Sequence, residues 1–116
     1  MVVKSYDELA QQVQEQGHIS VFDMGTLRDL EGAGKLGKYV RSSISKALAS
    51  HGLGHFPEDL PIYQHEEVRV FRRDSPVGRV VDAVLHPSAK GDVVLRLLTD
   101  NDDHERLEQI RQILAP

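Results

Sequence analysis

Lys35, Lys38, Arg41 and Lys46 follow one another along a single stretch, with Ser42 and Ser45 among them. The stretch is LEGAGKLGKYVRSSISKALASHGLGHFP, residues 30–57, and no acidic residue occurs in it between Glu31 and Glu58. The chemistry these side chains support is contact with a polyanion. Lysine and arginine neutralise phosphates and release condensed counterions. Serine hydroxyls donate to phosphate oxygens, and their small size lets a backbone come close. The missing carboxylates remove a source of repulsion. A helix that merely faces water tends to mix Glu with Lys and gain i,i+4 pairs; this one does not.

The rest of the chain is acidic. There are 18 Asp plus Glu against 14 Lys plus Arg, a formal net charge of −4. Both ends carry an excess of acid, so the basic run sits inside an acidic frame. A binder that coats nucleic acid through overall charge is excluded, and a localised contact surface is not.

Other residues suggest other chemistry. His51 and His55 have the HxxxH spacing of a two-ligand metal face, but Gly52 and Gly54 interrupt any helix between them and no third ligand is in sight. A histidine at a helix end also suits the negative pole of the dipole. Glu58-Asp59 and Glu66-Glu67 offer paired acids for proton transfer, yet they flank a proline-rich loop, where carboxylates are ordinarily solvated. A nuclease-like reading of PED and EEVRV lacks the lysine expected after the second acid. GAGKLGK has glycines and lysines without the spacing of a phosphate-binding loop. With no cysteine, disulfides and thiolate metal sites are excluded. No catalysis, metal or cofactor is expected.

These side chains need elements to hold them. Ser5 and Glu8 form a capping-box pattern for a helix over 5–16, closed by Gly17. HISVF at 18–22 reads as a strand, or Ser20 and Asp23 cap the helix that follows at 24–31. GAGKLG at 32–37 is a turn. Residues 38–50 form the clearest helix, with Val40, Ile44, Ala47 and Leu48 on one side. Lys38, Ser42, Ser45, Lys46 and Ala49 fall on the other, and Arg41 lies at the border. Residues 54–67 read as a loop pinned by Phe56, Leu60 and Ile62, or available to a protein partner. VRVFRR at 68–73 alternates as a strand does. Ser75-Pro76 opens a helical pattern over 76–85, at a place where a second wing strand is the alternative. DVVLRLL at 92–98 reads as another strand. Residues 101–114 read as an amphipathic helix with Leu107, Ile110, Ile113 and Leu114 as its stripe.

The chain length suits one α+β domain. The N-terminus lacks the pattern of a signal peptide, and no apolar run is long enough for a membrane span, so a soluble cytoplasmic protein without membrane contact is expected.

The order helix, strand, helix, glycine turn, basic helix, strand resembles the winged helix-turn-helix superfamily of DNA-binding domains. ISVFDMGTLRDL stands for its first strand and supporting helix, KYVRSSISKALASHGL for its recognition helix, and VRVFRR for the strand leading to its wing. The resemblance implies a helix-strand-helix-helix-strand core with an extra helix and a C-terminal amphipathic helix. It implies duplex DNA as partner, as in transcription regulation. Lys35, Lys38, Arg41, Ser42, Ser45 and Lys46 would face the DNA, and Arg69, Arg72 and Arg73 would lie on or near the wing. The apolar terminal helix packs on its own chain or on a second copy, and the latter gives a homodimer reading two half-sites. The alternatives are a protein-interaction adaptor, using loop 54–67, and a reader of modified or foreign DNA beside a separate nuclease.

Overall fold

In the computed structural model, residues 2–99 and Gln112 are described. The first helix, α1, spans Tyr6–Glu15. Ser5 caps it, accepting from the Glu8 N–H at 3.1 Å. The return half of the box goes to a neighbour: Glu8 accepts from the Lys4 N–H at 2.9 Å. Gly17 turns the chain out of the helix at φ 82°. Strand β1, Ile19–Asp23, follows directly, and its last residue also caps α2, Met24–Leu30, by accepting from the Thr26 N–H at 2.7 Å. Residues 19–23 therefore serve as a strand and supply a cap. Ser20 does not cap; it is buried and bonded to Gln16.

Helix α3 covers Lys38–Ser50, and Gly52 reverses the chain after it at φ 72°. Two strands come next, β2 over Leu53–Phe56 and β3 over Glu67–Arg72. They form an antiparallel sheet in the order β1-β3-β2. In the register, Ser20 and His55 both face Val70, Phe22 faces Val68, and Leu53 faces Arg72. The front of the segment read as a loop from residue 54 is thus a strand. Val68 and Val70 point to the helix side of the sheet and join Leu9, Val13, Phe22, Leu27, Ile44, Leu48 and Leu60 in one core. Burying each such side chain contributes about 1.5–3 kcal/mol.

Residues 76–85, open between helix and wing strand in the sequence, are helix α4, Pro76–Leu85, capped by Ser75 on the Gly78 N–H at 3.0 Å. The strand expected over 92–98 is instead part of helix α5, Ala89–Thr99. Ser88 accepts from the Gly91 N–H at 2.9 Å, as an N-cap does. Gly91 is a packing position rather than a breaker: a Cβ there would meet the Ala83 Cα at 3.2 Å. Leu95 joins Ala83 in a small core flanked by Val80, Val84 and Leu98. The packing divides into two compact units, Met1–Arg73 and Asp74–Pro116. The helix expected over 101–114 lies outside the described residues, apart from Gln112. No helix among the described residues is long and apolar enough to cross a membrane.

Candidate nucleic-acid interface

Ile44 and Leu48 are fully buried and fasten α3 to the sheet. That anchoring fixes which residues turn outward. Lys38, Tyr39, Ser42, Ser43, Lys46, Ala49 and Ser50 are exposed, and none is acidic. Tyr39 is a large apolar side chain among them, with 83% of its surface exposed. On a helical wheel these positions share one arc, opposite Ile44 and Leu48.

Arg41 and Ser45 are half-buried on a different flank. The Arg41 Nη1 donates to the Leu60 carbonyl at 3.5 Å, while its Nε is buried and has no partner among the described residues. Ser45 Oγ lies 2.9 Å from His55 Nε2, and His55 Nδ1 lies 2.9 Å from the Pro57 carbonyl. A carbonyl can only accept. In the neutral ring Nδ1 therefore carries the proton, Nε2 accepts, and Ser45 donates.

The connection between β2 and β3, residues 57–66, returns beside this flank. Together they enclose an open cavity of about 170 Å³. Lys38, Arg41, Ser42 and Ser45 form one wall; Glu58, Asp59 and Leu60 form the other. Leu60 is 5% exposed and belongs to the core, so it pins the loop. Phe56 is half-buried, whereas Ile62 and Tyr63 are exposed at 53% and 58%. Of the three residues expected to pin the loop, Leu60 is fully buried, Phe56 partly, and Ile62 stays outside.

The nine basic and hydroxyl residues singled out by the sequence thus separate. Lys38, Arg41, Ser42 and Ser45 line one cavity, and Lys46 lies further along the exposed arc. Lys35 is exposed in the link before α3. Arg69 and Arg72 of β3, and Arg73 just after it, are elsewhere. Arg69 alternates onto the sheet face opposite Val68 and Val70, between Val21 and Phe56. Arg72 faces Leu53, and its Nη1 donates to Gln14 Oε1 of α1 at 3.3 Å. The Arg73 N–H donates to the Gly52 carbonyl at 3.0 Å. The hairpin loop precedes β3, so Arg72 and Arg73 stand at the end of the strand farthest from it.

Exposed residues missed on the helix face are Tyr39, Ser43 and Ser50. None belongs to the apolar stripe of Val40, Ile44, Ala47 and Leu48, and that spacing was the available signal.

The histidines do not converge. His51 stacks on Tyr6 with ring centroids 5.7 Å apart, and its Nε2 lies 3.2 Å from Asp7. The Tyr6 hydroxyl donates to Glu31 at 2.5 Å. Burial, and then the bond to Glu31 and its charge, push the Tyr6 pKa well above its ordinary value. Among the described residues, no group of three His, Cys, Asp or Glu side chains is arranged to hold a metal.

The chain matches no protein-family model, no curated protein and no solved structure.

Proposed function

We propose that this protein binds duplex DNA in the manner of a winged helix, with α3 as the recognition helix and residues 57–66 as the wing. One observation carries the reading: the exposed arc of α3 holds Lys38, Tyr39, Ser42, Ser43 and Lys46 and no carboxylate, although the protein as a whole is acidic. The element order α1-β1-α2-α3-β2-β3, ending in a hairpin beside the basic helix, supports it.

In this reading α3 lies in the major groove. Lys38 and Lys46 meet phosphates or guanine edges, and Ser42 and Ser43 allow the helix axis to approach the backbone. Tyr39 offers an apolar ring to a thymine methyl or a sugar, and a hydroxyl to a phosphate. The β3 arginines are outside the primary contact. The test is fluorescence anisotropy with a mixed-sequence duplex at low and moderate salt. Binding that weakens steeply with salt is expected, because each phosphate contact adds about one unit to the slope. An absence of binding at low salt would overturn the reading.

A second reading rests on Ile62 and Tyr63, which stand exposed in the hairpin loop. Two large apolar groups at an acidic loop suit a protein partner. That partner's binding would respond little to salt and would be lost in Ile62→Ser/Tyr63→Ser, with α3 left intact.

A further inference from the structure

The wall of acid beside the basic helix needs a reason. Glu58 and Asp59 sit next to the surface proposed to approach phosphates, where a carboxylate repels the ligand. They are not there by loop drift. Residues 55–60 are fastened to α3 at three points: the Leu60 side chain in the core, the Leu60 carbonyl on Arg41, and His55 between Ser45 and the Pro57 carbonyl. The result is a cavity with donors on one wall and acceptors on the other, about 170 Å³ in volume and open to the outside. A subsite for phosphate alone gains nothing from the second wall.

A G·C pair matches both walls. Across the major groove, guanine presents N7 and O6 as adjacent acceptors, and cytosine then presents the N4 amino group as a donor. Lysine or arginine on guanine, and a carboxylate on cytosine N4, are the pairings that geometry favours. An A·T pair fits worse in either direction. It brings a thymine methyl against the donor wall and adenine N7 against the carboxylates, or it sets thymine O4 against the carboxylates.

We propose that this cavity is a base-reading subsite for a G·C pair, with Lys38 and Ser42 donating to guanine and Asp59, beside Glu58, accepting from cytosine N4. The assignment rests on the DNA-binding reading and makes it specific. Asp59 also acts against the wrong ligand, since its charge lowers affinity for any duplex that does not place an amino group beside it.

The experiment is selection from a pool of randomised duplexes, with wild type and with Asp59→Asn, followed by anisotropy on a mixed-sequence duplex. Thermal unfolding confirms that the variant is folded. The replaced side chain is exposed and the change isosteric, and Leu60 and His55 are left in place. Wild type is expected to enrich a G·C pair at one fixed position, by about tenfold over A·T. The variant is expected to lose that preference and to bind the mixed-sequence duplex several times more tightly. If wild type enriches duplexes and the variant keeps the same preference, DNA binding stands and the subsite is overturned. If wild type binds the mixed-sequence duplex but enriches no base pair, DNA binding stands and the subsite is overturned; if it binds no duplex even at low salt, the DNA-binding reading falls and the subsite falls with it.

Discussion

Ser42 and Ser45 lie one turn apart on α3, as do Lys38 and Arg41, yet each pair is divided by what faces it. Ser42 and Lys38 are exposed. Ser45 is held by His55 of β2, and Arg41 by the Leu60 carbonyl. The flank that touches β2 and the hairpin loop uses its polar groups to build the protein. The outer arc leaves its polar groups available to a ligand. Residue type gives the chemistry a side chain can do; the element opposite decides whether that chemistry is directed inward or outward.

The largest effect that separates the flanks is charge reversal on the outer arc. Lys38→Glu/Lys46→Glu is expected to weaken duplex binding on the order of a hundredfold at low salt, because two attractive contacts become repulsive. The melting temperature should hardly move, since both side chains are exposed. A large loss of stability would show that the outer arc also has a structural role.

Next comes the base of the inner flank. Gly54 adjoins His55 in β2, and a Cβ there would lie 2.5 Å from the Phe71 ring and 3.1 Å from Arg73 Nε. Gly54→Ala is expected to destabilise the protein by about 1–3 kcal/mol in denaturant melts, the usual effect of overpacking. Unchanged stability would mean that the Phe71 ring shifts freely and that β2 is not a firm support.

The serines give the sharpest contrast at a smaller scale. Ser45→Ala removes the donor to His55 and should reduce stability by about 1 kcal/mol. Ser42→Ala should stay within about 0.5 kcal/mol of wild type and instead weaken DNA binding. Equal effects of the two replacements on stability would erase the distinction between the flanks.

The smallest effect lies at the far end of α3, where Tyr6 stacks on His51 and donates to Glu31. The folded-state pKa of Tyr6 is raised, chiefly by burial. The neutral hydroxyl is thus favoured by folding, and its contribution is complete below the ordinary tyrosine pKa of about 10. It declines as pH rises from there towards the raised value. Stability should therefore fall in alkaline melts of wild type above about pH 10, more than in Tyr6→Phe. Parallel curves for the two proteins would contradict the shift.

Much of the fold is legible in local signals. Ser5 and Ser75 mark helix starts, and the spacing of Val40, Ile44, Ala47 and Leu48 fixes the face of α3. β2 was not legible, because the four residues from Leu53 to Phe56 contain a glycine and are too few to display a period. α5 was misread because its valine–leucine run favours a strand locally. Its helical pattern emerges only when Gly91 is seen as the point where Ala83 packs. On the candidate site, Lys38, Ser42 and Lys46 followed from the wheel. The inward turn of Ser45 and the arrival of Glu58 and Asp59 beside α3 did not. Both depend on how the hairpin folds back, which is set by Leu60 in the core rather than by any neighbouring residue.

The central claim is that the outer arc of α3 is the surface that meets DNA. Its most direct test is residue-resolved NMR of the labelled protein during titration with a short duplex. The amides of Lys38, Tyr39, Ser42, Ser43 and Lys46 are expected to shift first and furthest, with those of residues 57–60 beside them, while Arg69 and Arg72 move little. Shifts centred on the β3 arginines or on α5, or no shifts at low salt, would contradict it.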